Sequence, residues 1–351
     1  MLSILRRWGT RYLSDAEAVV LLGLMVGVVV ITQMADVFLP ILASVILAFL
    51  LHTLSRGIAG VGISSRISDY LVFIAFMGIS LWLLMDVLPT LIKELSRLFH
   101  ELPVMLQGLQ KLIASLPERY PHIITAEQIS AIEMGITDHP EVRNFGRTAL
   151  AASLTRIPGM FEILIYFILV PMMAFLWLFD IVRIKAWFAR FFPQNKSRLM
   201  ALYAQTYDQL GNYIKGKTIE AVIVSVATYM GFVYFHLNFA LLLSVFVGLS
   251  VFIPVVGFIV VTGPVVMVAL VQFGLTAEMG TLLFVYAVIQ FLDGYVLTPL
   301  LFSGMVSLHP LAILIAILVF GGLWGMWGVF FAIPLAIVLK NLIEGWPVKV
   351  D

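Results

Sequence analysis

The chain has 351 residues, of which 62% are hydrophobic and 12% are charged, and its formal net charge is +1. Soluble domains carry about 25% charged residues, so this composition excludes an ordinary soluble protein and predicts an all-α, polytopic membrane protein. The near-neutral charge gives no basis for a nucleic-acid partner. The chain has no cysteine, which excludes disulfides, thiolate metal sites and a cysteine nucleophile.

The first apolar run follows three arginines, Arg6, Arg7 and Arg11, and extends over about 18–31. Basic residues before an apolar core also occur in cleaved secretion signals, but no small-residue cleavage site follows here. The run leads directly into a second apolar segment. We therefore expect an uncleaved first span whose arginines stay on the cytoplasmic side.

Apolar segments recur along the whole chain. They span about 18–35, 37–52, 68–90, 158–180, 217–236, 239–256, 257–273, 276–298, 308–322 and 324–342. A straight helix needs about 20 apolar residues to cross the bilayer, so the shorter segments predict tilted spans, re-entrant hairpins or broken helices. We expect about eight helical elements, with one or two re-entrant hairpins.

A polar segment over 92–156 separates the N-terminal transmembrane segments, 1–91, from a further span over 157–180. Its charges are balanced, which fits an external, periplasmic location. Leucine and methionine recur in it at three- and four-residue spacing, which predicts amphipathic helices. The apolar stripes of these helices pack on one another, lie on the outer leaflet or contact neighbouring subunits. Four prolines are expected to divide the segment into short helices: Pro103, Pro117, Pro121 and Pro140.

The segment 181–216 is strongly basic, and short basic segments beside membrane spans lie in the cytoplasm. The N-terminal arginines, Lys340 and Lys349 agree with this orientation if an even number of spans separates them from it. The sequence therefore predicts that both termini are cytoplasmic. The remaining residues, 217–351, form the predicted C-terminal membrane core.

Within this core, between Glu220 and Lys340, only Glu278 and Asp293 carry a formal charge. A charge near the bilayer centre costs at least about 2.5–3.5 kcal/mol, so an acid there is more often functional than accidental. Asp293 and Gln290, one helical turn apart, share a face and predict a hydrated binding site. The alternative is a helix-end carboxylate that reaches the interface or caps the next segment.

Proline and glycine interrupt the apolar stretch 253–264. The interrupting residues are Pro254, Gly257, Gly263 and Pro264. Both residue types break helices or allow a close approach, so we expect broken helices whose exposed backbone groups bind a substrate. A kinked, closely packed helix pair without a ligand is the alternative.

Further polar and turn residues complete the candidate site. Thr298, Pro299 and His309 interrupt the next apolar stretch, although a histidine before a proline is alternatively structural. Glu220 lies about one turn into the membrane region, where it either pairs with Lys217 at i and i+3 or faces a central cavity. The pair is the favoured interpretation. The simplest role for Lys217 itself is to anchor this helix end at the anionic inner leaflet.

Glycines also cluster near the C-terminus, over 321–328. Gly321 and Gly325 fall on one helix face, which favours close helix contact. The same glycines alternatively form the tip of a hairpin, because the stretch 308–342 is too long for one crossing and rather short for two.

Four motifs occur in a fixed order. They are GNYIKGK at 211–217, IPVVG at 253–257, DGYVLTPLLFSGMVSLHP at 293–310 and GGLWGMWGVFFAIPLAIVLK at 321–340. Together they resemble the autoinducer-2 exporter (AI-2E) family of bacterial membrane proteins, most specifically over 205–342. The resemblance implies a transporter of the bacterial inner (cytoplasmic) membrane that forms a homo-oligomer. It carries over the acid Asp293 and the turn residues Gly216, Pro254, Gly257, Gly263, Pro264, Pro299, His309, Pro310, Gly325, Gly328 and Pro334.

Members of this family are linked to export of the quorum signal autoinducer-2 and to efflux of sodium or lithium in exchange for protons. The leading hypothesis is therefore a secondary carrier that exports a small polar solute. A Na⁺(Li⁺)/H⁺ antiporter and a non-transporting scaffold that organises envelope proteins are the alternatives. No enzyme, cofactor or metal site is expected, because the recognised nucleophile, metal and nucleotide-binding motifs are missing.

Overall fold

The computed structural model describes residues 35–119, 160–188, 197–254, 256–302 and 308–345. Over these ranges the chain is helical and has no strand, which confirms the all-α fold. Six of the described helical segments are long and apolar enough to cross a membrane, which confirms a polytopic membrane protein. The predicted first span, over about 18–31, lies outside the described residues, as do Pro121 and Pro140.

Ten helices are assigned within the described ranges. They are α1 (Ala35–Ala59), α2 (Ser65–Trp82), α3 (Leu88–Arg119), α4 (Met160–Phe188), α5 (Ser197–Tyr234), α6 (Ala240–Ser250), α7 (Val256–Phe273), α8 (Ala277–Leu292), α9 (Thr298–Phe302) and α10 (Pro310–Gly345). Two π-helical turns join helices without a break: Leu83–Val87 between α2 and α3, and Asp293–Leu297 between α8 and α9. Such turns are frequent at functional sites, and the second begins at the predicted acid Asp293.

Helix α3 shows that the predicted division into short helices is wrong at two of the prolines. Pro103 and Pro117 both lie inside this single helix of 32 residues. A proline removes one backbone donor, but the turns on either side keep their own hydrogen bonds. Leu98 and Met105, on either side of Pro103, are buried, and their packing holds the helix in place.

The apolar stripe of α3 packs on the C-terminal half of the same chain. Leu98 and Met105 belong to one core cluster with residues of α6 and α7, and Leu91 and Leu95 pack against it. The carboxylate of Glu94 accepts a hydrogen bond at 2.9 Å from the amide of Leu242, in the first turn of α6. Packing within the chain therefore covers this stripe, and its partner is α6–α7.

Helix α5 is the central element of the C-terminal half. Its 38 residues extend for about 57 Å at 1.5 Å per residue, well beyond the hydrocarbon core of a bilayer. It contacts α1, α6, α8, α9 and α10. The predicted boundary between residues 216 and 217 falls inside this helix. The boundary therefore marks a change of composition within one continuous helix.

Helices α6 and α7 form a hairpin around the predicted break. α6 has only 11 residues and is about 16 Å long, which is too short to cross a bilayer. The chain leaves helical geometry between Ser250 and Val256, so the break predicted at Pro254 is confirmed. A Cβ atom at Gly257 would overlap the carbonyl of Ser250, which explains the glycine. The break predicted at Gly263 and Pro264 is wrong, because α7 continues through both residues.

Helix α10 is bent back on itself at Gly325, which has φ 60° and ψ −139°. Ala316 and Ala332, one on each arm, are buried in the same cluster. The arms approach so closely that a Cβ atom at Gly328 would overlap the carbonyl of Phe320. The structure therefore favours the hairpin interpretation of the C-terminal glycines.

Candidate functional site

One face of α5 carries three polar side chains, Tyr213, Lys217 and Glu220, at the spacing i, i+4 and i+7. The Lys217 ammonium donates a hydrogen bond at 3.0 Å to Oε1 of Glu220 and lies 2.9 Å from Oε2. The two side chains are only 12% and 2% exposed. The predicted pair is thus confirmed. The prediction that Lys217 anchors the helix at the leaflet surface is wrong, because its side chain turns inward to this carboxylate.

A second carboxylate, that of Asp293, joins the pair from the π-helical turn after α8. It interacts electrostatically with both Glu220 and Lys217. The hydroxyl of Thr298, at the start of α9, donates a hydrogen bond at 3.2 Å to Oε1 of Glu220. The cluster therefore combines two carboxylates with one ammonium group, and it carries a net charge of −1 when both acids are ionised.

The ring of Phe302 covers the ammonium group. Nζ of Lys217 lies 5.1 Å from the centre of this ring, within the range of a cation–π interaction. A Cβ atom at Gly216 would lie 2.7 Å from the same ring. Glycine at this position therefore lets the aromatic side chain approach α5.

Several buried polar atoms around the cluster have no hydrogen-bond partner among the described residues. They are the Tyr213 hydroxyl, Oδ1 of Asp293 and Nε2 of Gln290. Buried polar groups in proteins are nearly always paired with protein, water or an ion. Unpaired polar atoms on Tyr213, Asp293 and Gln290 are the expected property of a site that receives a polar ligand.

A cavity of about 520 Å³ lies beside Asp293, between α7, α8 and the π-helical turn. Gln290 and Asp293 both line it, so the shared face predicted for them is confirmed. The hydroxyl groups of Thr262 and Tyr286, on opposite walls, lie 3.0 Å apart and hydrogen-bond to each other. The remaining lining side chains are apolar or aromatic apart from Gly294 and the Tyr295 hydroxyl.

Comparison with known sequences gives the protein family. The sequence profile of the AI-2E family transporter matches residues 19–347, nearly the whole chain. This chain belongs to the AI-2E transporter family. The AI-2E membership confirms the resemblance in the sequence motifs and implies transport rather than catalysis.

Individual relatives of this AI-2E protein are bacterial. A protein named as a permease, PerM, of Escherichia coli strain K12 is 41% identical over 348 residues, which cover 99% of this chain and 98% of the relative. Two proteins named as transport proteins, YrrI and YueF of Bacillus subtilis strain 168, are each 25% identical and cover 88% of this chain, with 86% and 84% of their own lengths matched.

The other predicted site residues of this AI-2E protein lie apart from the acid cluster. Pro254 and Gly257 shape the turn between α6 and α7, and the side of Gly263 is open. Nδ1 of His309 accepts a hydrogen bond at 3.2 Å from the amide of Leu311. This contact caps the start of α10, which is the structural alternative for a histidine before a proline. The two remaining prolines, Pro264 and Pro299, lie within α7 and at the second position of α9.

Tyr213 was not predicted from the sequence as a residue of the AI-2E site, and Lys217 was predicted only as the ion-pair partner of Glu220. Tyr213 and Lys217 both face the cluster, and the signal for them is their spacing from Glu220, seven and three residues. Side chains at these separations lie on one helix face, so a buried acid implies that its neighbours on that face turn inward too. The basic composition of the segment before residue 217 hid this pattern.

Proposed function

We propose that this AI-2E protein is a secondary transporter whose substrate path runs past Glu220 and Asp293. The observation that carries the proposal is a cluster of a buried carboxylate, a half-buried carboxylate and one lysine, next to a 520 Å³ cavity, within helices that are apolar enough to cross a membrane. Each charge placed at membrane depth costs about 2.5–3.5 kcal/mol or more. A protein keeps charges at this cost when they act on a solute or an ion.

The broken helices also support transport. The turn between α6 and α7 and the bend at Gly325 leave helix ends in apolar surroundings. In secondary transporters, helix ends near the midplane bind charged groups, and one unit rocks against the other around the bound solute. Here the cavity lies between α7 and α8, so a relative movement of these two helices would open it toward one side and close it toward the other.

The transported solute is proposed to be a small polar molecule or signal such as autoinducer-2, moved outward. Gln290, Asp293 and the hydroxyls of Thr262 and Tyr286 offer hydrogen-bond donors and acceptors on an otherwise apolar wall, a combination that suits a small polyhydroxylated molecule. The energy would come from an ion gradient or from the gradient of the solute. The proposal places the chain in the bacterial inner membrane, with both termini cytoplasmic, as a homo-oligomer.

A Na⁺(Li⁺)/H⁺ antiporter is the second candidate, and the charge of the cluster favours it. The two carboxylates of Glu220 and Asp293 face a single ammonium group, so the cluster has an excess of negative charge. Carboxylates that exchange a proton for a monovalent cation are a recurrent device of ion-coupled carriers.

The experiment is flux into proteoliposomes that contain purified protein. Asp293→Asn removes the charge but keeps the shape of the side chain, and we expect it to abolish pH-coupled flux of sodium, lithium or autoinducer-2. Glu278→Gln is the matched control, because this acid is exposed in the first turn of α8, away from the cavity lining. Wild-type rates and coupling in Asp293→Asn, with the protein folded, would contradict the proposal.

A further inference from the structure

We propose that Lys217 is a tethered cation, which occupies the Glu220–Asp293 site when no ion is bound and which a monovalent cation displaces during transport. This inference rests on the proposed function and assigns a role to a residue that touches the same site.

The lysine reaches the carboxylates by its own flexible side chain. It lies one turn before Glu220 on α5, and Nζ contacts both carboxylate oxygens, at 3.0 and 2.9 Å. A lysine stem has four rotatable bonds, so the ammonium group can move by several ångströms without any movement of the backbone. The contact can therefore open and close while α5 stays in place.

The ring of Phe302 gives the ammonium group a second partner. The centre of this ring is 5.1 Å from Nζ, and the aromatic face attracts a cation whether or not the carboxylates hold it. Gly216 permits the approach of this ring to α5. The lysine thus keeps a favourable contact after it leaves the acids, which lowers the cost of displacement.

Two residues that interact electrostatically with Glu220 each carry an oxygen atom without a hydrogen-bond partner among the described residues. The Tyr213 side chain is 5% exposed, its hydroxyl has no hydrogen-bond partner among the described residues, and it interacts electrostatically with Glu220. Oδ1 of Asp293 also lacks such a partner. The Thr298 hydroxyl already contacts Glu220. Hydroxyl and carboxylate oxygens are the ligands of hard cations, so these atoms form a coordination set for an ion such as sodium or lithium.

The charge of the cluster leaves room for one more cation. With both acids ionised and the lysine in place, the cluster carries a charge of −1. Because the lysine stays attached to the chain, binding of one monovalent cation brings the charge of the whole cluster to 0, while the carboxylates exchange one bound cation for another. A second positive charge at the same place would require both cations to share the acids at close range, which their repulsion opposes. The lysine and the ion therefore compete for one position.

Competition has a measurable consequence for ion affinity. When a competitor occupies a site for about nine-tenths of the time, the apparent affinity of the ligand is lowered about tenfold. Lys217→Met has a similar length and no charge, and we expect it to bind sodium and lithium about tenfold more tightly, and to release them more slowly, than the wild type. Lys217→Arg keeps a permanent charge and a forked group that pairs well with carboxylates, so it should bind these ions more weakly.

The test measures thermal stabilisation of the purified full-length protein against sodium chloride and lithium chloride, with choline chloride as the control for ionic strength. A ligand that binds the folded state stabilises it by RT ln(1 + [L]/Kd), so a tighter-binding variant shows a larger rise in melting temperature at the same salt concentration. Lys215→Met is the matched control variant, because Lys215 is exposed on the same helix. The affinity of this variant for sodium and lithium should equal that of the wild type. Flux into proteoliposomes is measured on the same preparations.

Tighter ion binding in Lys217→Met together with weaker binding in Lys217→Arg supports the tethered-cation role. Unchanged affinity in both variants, or weaker binding in Lys217→Met, overturns it. If Lys217→Met does not fold, unchanged or tighter binding in Lys217→Arg overturns the proposal alone. If solute flux depends on Asp293 but no monovalent cation stabilises the protein, the tethered-cation proposal is overturned and the transporter proposal stands.

Discussion

At the scale of single residues, the sequence indicated the acids and the Glu220–Lys217 pair, but not that the lysine belongs to the site. Asp293 stood out because it is one of only two charged residues in a long apolar stretch, and the structure places it beside a cavity and a second carboxylate. Lys217 lies in a basic stretch, where a lysine at a membrane surface is the simplest explanation. Composition cannot show that this side chain turns inward, since that depends on which face of α5 meets α8 and α9.

Substitution of Glu220 tests how the buried charges support one another. Glu220→Gln leaves the Lys217 ammonium group without its main partner, and removing one member of a buried pair costs about 3–5 kcal/mol. We expect a large fall in the melting temperature of the detergent-solubilised protein. The double variant Glu220→Gln with Lys217→Met should recover much of the loss, because the buried ammonium group is removed and Asp293, the charge that remains, is only half-buried. Equal melting temperatures for wild type and Glu220→Gln would show that the pair is not buried in the folded protein.

At the scale of helices, glycine and proline were informative where they coincide with a short apolar segment. Pro254 lies close to the predicted boundary between the segments 239–256 and 257–273 and marks a real break, and Gly325 adopts a positive φ at a hairpin tip. Pro264 and Pro103 lie inside continuous helices. The difference arises from packing: a proline costs a helix one hydrogen bond, and neighbouring buried side chains can outweigh that cost. Such packing is invisible in the local sequence.

The hairpin of α10 is testable at the close approach of its arms. Gly328→Ala adds a methyl group against the carbonyl of Phe320, and overpacking of this kind costs about 1–3 kcal/mol. Gly322→Ala is the control, because a Cβ atom there meets nothing within 4 Å and alanine favours a helix. We expect a lower melting temperature for Gly328→Ala only. If both variants have the same melting temperature as the wild type, the two arms of α10 are not in contact.

At the scale of the whole molecule, the N-terminal and C-terminal halves form one packed unit in the described ranges. The periodicity of α3 predicted which face is apolar, and Leu98 and Met105 are indeed buried. Periodicity does not say what covers a face. The contact with α6 and α7, and the hydrogen bond from Leu242 to Glu94, join residues about 150 positions apart and could be found only from the structure.

This long-range contact also bears on the scaffold hypothesis, which remains a prediction. Deletion of residues 103–140 would distinguish a scaffold from a carrier only if the rest of the protein kept its fold. Because Met105 belongs to the core shared with α6 and α7, that deletion would expose apolar surface of the C-terminal half. Point substitutions in the cavity therefore separate the two hypotheses more cleanly.

The most direct test of the transport path is thiol labelling of the cavity, since the chain has no native cysteine. Ala287→Cys introduces a thiol on the cavity wall, and Phe284→Cys places one on the same helix outside that lining, where the native side chain is 68% exposed. We predict that a membrane-impermeant maleimide labels Ala287→Cys and that an ion or solute gradient changes the rate of this labelling. Phe284→Cys should stay unlabelled, because its thiol lies outside the cavity, on the apolar surface of the helix. Equal and gradient-independent labelling of the two variants would contradict a hydrated substrate path beside Asp293.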